Sequence, residues 1–237
     1  MKDIVLLILR ELPLYLRNCL KLVVGPKRFL RERNRWSEAR LTQALTFAGV
    51  SFALYSILFA SSVPAGTDFL TRTATAGVFT LLCTALFGSA VTISWRLVGG
   101  KAGFGRHWIT FLYLQAVFLI IFGIFLAVLF GLFELLLPEL SRAARDMIMR
   151  GGRDVGDAFR NALDSATAAH QQAKLLAIAT AGLLALLVPW IWLFAGWGAY
   201  RELNDLSRLR SLSAALVYLL LVFLIMPIVL LMSMGVG

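Results

Sequence analysis

The residues of this 237-residue chain that could transfer protons or bind ligands are few: Glu134, His107, His170, Cys19, Cys83 and a glycine-rich run, Gly99 to Gly105, that holds Lys101. Glu134 is the single Asp, Glu, Lys, Arg or His inside the five long apolar runs. A charge in lipid is costly enough that its presence marks a candidate functional position, although this run is long enough for Glu134 to reach the interface. The two histidines are expected on opposite faces of a membrane, which rules against a shared metal site. Cys19 and Cys83 are isolated and build neither a disulfide framework nor a metal spacing. The glycine run follows no strand, and its Lys lacks the Ser/Thr neighbour that a phosphate loop requires. No HExxH or GxSxG pattern occurs, and no serine has a nearby histidine and carboxylate to activate it. The expectation is a non-enzyme with no catalytic residue, no cofactor and no metal.

The elements around these residues are written in lipid terms. Hydrophobic residues make up 59% of the chain and charged ones 15%, and the mean hydropathy is +0.81. That leaves too little polar surface to cover a water-soluble globule. The net charge of +10 gathers at the ends of apolar runs and does not form a basic domain with interleaved aromatics, so the implied partner is anionic lipid and not nucleic acid. A bilayer core takes about 20 apolar residues per helical crossing, and five stretches meet that measure. They cover about 41–63, 73–95, 108–137, 175–199 and 211–234. The fold class expected is an all-α polytopic membrane bundle of five transmembrane helices plus an N-terminal interfacial amphipathic helix.

Residues 1–40 form the basic, membrane-surface part and 41–237 the transmembrane domain. Asp3, Arg10 and Arg17 recur at a spacing of seven, among apolar residues, over residues 3–24. That stretch is too interrupted to span and too apolar to float, which leaves an in-plane interfacial helix or a helix packed on the bundle. Pro13, Arg10 and Glu11 interrupt any signal-peptide core, so the segment is expected to be retained. After Gly25-Pro26, a run with Lys27, Arg28, Arg31, Arg33, Arg35 and Trp36 reads as a surface anchor on anionic lipid. Counting Lys and Arg by side gives sixteen for the face holding the amino terminus and seven for the other. Positive loops stay inside, so the amino terminus is expected to be cytoplasmic and the carboxyl terminus outside.

The external segment 138–173 carries Leu140, Ala144, Met147 and Ile148 on one helical face. Gly151-Gly152 breaks the pattern, which then resumes with Val155, Phe159, Ala162, Leu163, Ala166 and Ala169. Two amphipathic helices fit, lying on the outer leaflet, extending the neighbouring spans, or docking a partner. Small residues recur every four positions in two spans: Ala76, Thr80, Thr84, Gly88 and Thr92, then Gly123, Ala127 and Gly131. Such stripes let helices approach closely, within the chain or between chains. Pro189 and Pro227 are expected to kink the last two spans.

Three stretches resemble the Yip1 family of five-span membrane proteins. The first is the basic run from Pro26 to Trp36. The second is Leu97-Val98-Gly99-Gly100-Lys101-Ala102-Gly103-Phe104 followed by Phe111-Leu112-Tyr113-Leu114-Gln115-Ala116, which is similar to the family's Gly-Gly-Lys-Gly-small-Phe turn before a Tyr-containing span, with Ala102 in place of the usual Gly. The third is the short charged loop Tyr200-Arg201-Glu202-Leu203-Asn204-Asp205-Leu206-Ser207. The resemblance implies five spans and a cytosolic amino terminus. Eukaryotic relatives act in trafficking with Rab GTPases through long amino-terminal regions; the short basic region here points to a bacterial inner-membrane member instead. The function expected is a non-enzymatic scaffold or accessory subunit that organises a membrane protein complex or membrane shape, with another membrane protein or itself as partner. The alternative is a transporter or lipid-handling protein with a path near spans three to five.

Overall fold

A computed structural model describes residues 2–33, 36–60, 69–142, 160–161 and 172–234. Among these residues all regular structure is helical. The helices are α1 (Lys2–Val24), α2 (Pro26–Arg33), α3 (Glu38–Ala60), α4 (Phe69–Leu97), α5 (Phe104–Leu136), α6 (Gln172–Asn204) and α7 (Arg208–Met234). Four contain stretches long and apolar enough to cross a membrane: Thr80–Leu97, Phe104–Leu136, Gln172–Asn204 and Arg208–Pro227. These fit an integral membrane protein, because a helix satisfies its own backbone polar groups and can expose its side chains to hydrocarbon. Large apolar side chains such as Leu183, Ile191, Phe194, Leu219 and Phe223 do lie exposed on them. The described side chains of α3 include Thr42, Gln43, Thr46 and Ser51.

Local chemistry sets the boundaries. Gly25 separates α1 from α2, and Pro26 opens α2 at the first position, where a missing N–H costs nothing. Ser37 caps α3, its Oγ accepting from the Arg40 N–H at 3.3 Å, and Ser207 caps α7, accepting from Arg210 N–H at 3.4 Å. The far ends of α4 and α6 close with the same C-terminal hydrogen-bond pattern. Gly100 N donates to Trp95 O at 2.8 Å and Gly99 N to Arg96 O at 3.0 Å, with Gly99 left-handed at φ 91°. Leu206 N donates to Arg201 O at 3.3 Å and Asp205 N to Glu202 O at 3.4 Å, with Asp205 in the left-handed position at φ 52°. Pro189 and Pro227 lie inside the helical runs of α6 and α7, and each removes one intrahelical donor.

The chain divides into two compact units. The first comprises Met1–Ser56, Gly66–Leu119 and Trp192–Gly237. Here α1 packs on α2 and α4 packs along α7, with the small side chains Ala90, Ser94, Ser211 and Ala214 all buried on the latter two helices. The second comprises Ile57–Ala65 and Ile120–Ile191. In it, Leu137 and Leu140 form a small apolar cluster with Phe133, Leu136, Leu175 and Ile178. The start of the 138–173 segment is thus helical and packed, while Ala144, Met147, Ile148, the glycine break and the second amphipathic pattern lie outside the described residues.

Candidate functional site

Among the described residues, the densest polar chemistry is at the turn joining α4 to α5, within the first unit. The left-handed Gly99 reverses the chain, and Gly100 then passes so close to α6 that a Cβ there would lie 2.5 Å from Asn204 Oδ1 and 2.6 Å from Trp95 O. Asn204, the last residue of α6, is fully buried and is bonded on both sides of its amide. Its Oδ1 accepts from the Ala102 N–H at 3.2 Å, and its Nδ2 donates to Tyr200 O at 2.8 Å and to His107 Nε2 at 3.0 Å. His107 Nδ1 faces Gly103 O at 3.3 Å. A carbonyl only accepts and an amide NH2 only donates, so the imidazole is the neutral Nδ1–H tautomer, with both nitrogens committed.

Rings wrap this node. Tyr200 stacks on His107 at 6.1 Å and on Trp95 at 5.9 Å, and Trp95 lies 5.1 Å from Trp197, which in turn lies 5.8 Å from Tyr218. Trp197 Nε1 donates to Ser211 O at 3.2 Å, tying α6 to the first turn of α7. The turn, α4, α5, α6 and α7 therefore share one knot of aromatic and amide contacts. The Trp95 indole N–H and the Tyr200 hydroxyl are buried in it and find no hydrogen-bond partner among the described residues.

A second ring array joins the amino-terminal helices to α5. Tyr113 lies 5.3 Å from Phe29 of α2, edge to face, and 5.1 Å from Phe47 of α3, which is 4.8 Å from Tyr15 of α1. Ser51 Oγ donates to Phe47 O at 3.1 Å, so the Tyr15 hydroxyl is the donor in its 2.8 Å bond to Ser51. Burial pushes the Tyr15 phenol up to about 12, which keeps that donor protonated. The α1 helix buries Tyr15, Asn18 and Leu22 and exposes Leu14, Leu16, Leu20 and Val24. One stripe packs on the protein and the other remains apolar and uncovered.

The basic run splits in two. Lys27, Arg28 and Arg31 are exposed, Arg28 beside Glu32 at 3.8 Å and Arg31 on Glu202 at 2.8 Å. Arg33 turns inward, reaching Asn18 Oδ1 at 3.2 Å and Tyr113 OH at 3.4 Å, with its guanidinium 4.8 Å over the Phe29 ring. Arg35 lies outside the described residues, and Trp36 is about half exposed with its ring against Gly105. In the turn, Lys101, Gly103 and Phe104 are exposed.

The small-residue stripes are placed unevenly. Gly88 is buried, with the Trp108 and Phe111 rings only 3.0 Å from where its Cβ would stand, and Thr84 Oγ1 accepts from Gln115 Nε2 at 2.9 Å. Thr80 is half-buried, Thr92 is buried and bonds Gly88 O at 3.0 Å, and the Ala76 side chain lies outside the described residues. On α5, Gly123 is buried while Ala127 and Gly131 are exposed. Glu134 is exposed near the end of α5, and His170 lies outside the described residues. No group of three or more His, Cys, Asp or Glu side chains among the described residues could hold a metal ion.

Sequence reasoning missed Asn204. It noticed the residue only as part of a charged loop, because a single Asn among polar neighbours gives no sign that it bonds a histidine 97 positions away. No protein-family model, curated protein or solved structure matches the chain.

Proposed function

We propose that this chain is a non-enzymatic scaffold or accessory subunit that organises a membrane protein complex or shapes the membrane around it. The observation that carries the reading is the commitment of His107: both ring nitrogens and the whole Asn204 amide are engaged in holding the α4–α5 turn onto α6. The residue best suited to acid–base work thus has a structural occupation. The exposed apolar faces of α6 and α7 offer surface for lipid or for other membrane helices.

In this reading α3 is the first of five spans, α1 and α2 lie at the cytoplasmic surface on anionic lipid, and the carboxyl terminus is outside. The resemblance of the Gly99–Phe104 turn, the basic run and the 200–207 loop to the Yip1 family supports that arrangement, and the short basic amino-terminal region supports a bacterial inner membrane. The node built on the turn gives those residues a physical reason to occur together. The partner is another membrane protein or a second copy of the chain. Extraction in mild detergent or nanodiscs followed by affinity capture and mass spectrometry is expected to recover a stoichiometric membrane partner or a homo-oligomer. Recovery of the chain alone, as a monomer, would overturn the reading; substrate-dependent flux in proteoliposomes would replace it with a transport role.

A further inference from the structure

We propose that a cavity beside the turn, framed by Lys27, Arg31 and Arg106, binds the phosphate of an anionic phospholipid. The cavity measures about 230 Å³, and its wall includes Lys27, Leu30 and Arg31 of α2, Arg106 of α5, and Glu202 and Leu203 of α6. A single water occupies about 30 Å³ of liquid, so a phosphodiester fits there with part of its hydration. Lys27, Arg31 and Arg106 line the cavity together with Glu202. Glu202 holds Arg31 Nη2 at 2.8 Å and so fixes a guanidinium whose fork presents several further donors.

Two features show that the cavity is shaped and not merely charged. A Cβ built at Gly198 would run into the Lys27 Cε and Nζ atoms, so the end of the Lys27 side chain lies directly against the backbone of α6 and would be displaced by a side chain there. The Trp36 ring rests against Gly105, the neighbour of Arg106, which sets an indole with a preference for headgroup depth next to the cations. Phe104, two residues from Arg106, is exposed, and Leu30 and Leu203 give the wall an apolar part. A wall that combines cations with apolar side chains matches an amphiphile better than a free phosphate.

The inference rests on the placement of α2 at the membrane surface proposed above. That placement is read separately, from the difference in brominated-lipid quenching between the wild-type chain and Trp36→Phe, so its failure is distinguishable from failure of the cavity. For the cavity itself, the purified full chain in detergent is titrated with short-chain phosphatidylglycerol, short-chain phosphatidylcholine and glycerol phosphate, and thermal unfolding is followed. Saturable stabilisation by phosphatidylglycerol is expected, with little from the other two. Lys27→Gln and Arg106→Gln should each weaken it roughly fivefold, the scale of one lost hydrogen bond to the phosphate. Gly198→Val should weaken it with no change of charge. Arg208→Gln, an exposed cation at the start of α7 and outside the cavity wall, should leave it unaltered. Equal weakening by Arg208→Gln would reduce the effect to general surface attraction and overturn the site. Equal stabilisation by glycerol phosphate would assign the cavity to a soluble phosphate and overturn the lipid. If the cavity variants do not fold, native mass spectrometry of the wild-type chain decides: retained lipid must be enriched in anionic headgroups over the membrane it came from, and an unenriched mixture refutes the proposal.

Discussion

Asn204 and His107 are 97 positions apart and meet at 3.0 Å, the amide Nδ2 donating to the ring Nε2 in a fully buried setting. Around that bond, the α4–α5 turn, the start of α5 and the end of α6 become one body. Asn204 also accepts from Ala102 N–H, so its short side chain serves as the turn's missing partner strand. The commitment of both groups is what assigns them to architecture.

Replacing Asn204 by Ala removes three hydrogen bonds at once and strands the Ala102 N–H and His107 Nε2 without partners. Each orphaned buried group costs about 1–3 kcal/mol, so the variant should lose roughly 2–6 kcal/mol of stability. Size-exclusion chromatography after heating in detergent would report this as a lower midpoint. An unchanged midpoint would mean that the node does not hold the helices.

Gly100 and Gly103 sit in the same turn and are expected to behave oppositely. At Gly100 an added Cβ collides with Asn204 Oδ1 and Trp95 O, whereas nothing among the described residues lies within 4 Å of a Cβ at Gly103. Gly100→Ala should therefore cost about 2 kcal/mol or more and cut the yield of folded protein, by the scale of overpacking penalties. Gly103→Ala should stay within about 0.5 kcal/mol of wild type, as an exposed substitution does. Similar losses from both would remove the steric explanation.

Asp205 ends α6 in the left-handed region, at φ 52°, where a Cβ carries a penalty. Asp205→Gly relieves that strain while adding backbone entropy to the unfolded chain, for a net gain of about 0.5 kcal/mol. A small upward shift of the unfolding midpoint is the expected result. A downward shift would show that the carboxylate makes a contribution of its own.

Tyr15 and Ser51 join α1 to α3 through a buried 2.8 Å hydrogen bond. Tyr15→Phe keeps the ring contact with Phe47 and deletes the hydroxyl, so a cost of about 1 kcal/mol is expected. In a double-mutant cycle with Ser51→Ala the coupling should be about 0.5–1.5 kcal/mol. Zero coupling would place α1 away from α3 in solution.

Some of this was legible in the chain itself. The long apolar runs announced helices because lipid-compatible length and composition need no partner to be recognised, and α4 to α7 each hold a stretch that meets that test. The helices nevertheless run further than the apolar runs, since α5 begins at Phe104 and α6 continues to Asn204, where capping geometry and not hydropathy sets the end. The basic run reads in the sequence as a single surface, yet Arg33 turns into the protein because Asn18 and Tyr113 stand where its guanidinium can be paired.

The glycine run from Gly99 to Gly105 and the long apolar runs belong to local sequence, and they determined the helical class, the fit to a membrane and the place of a turn between α4 and α5. What only the tertiary structure decided is which distant side chain completes that turn. His107 could be neutral or charged, and Asn204 a loop residue or a core one. The choice depends on a hydrogen-bond partner and on burial, and both exist only once α6 has been brought against the turn.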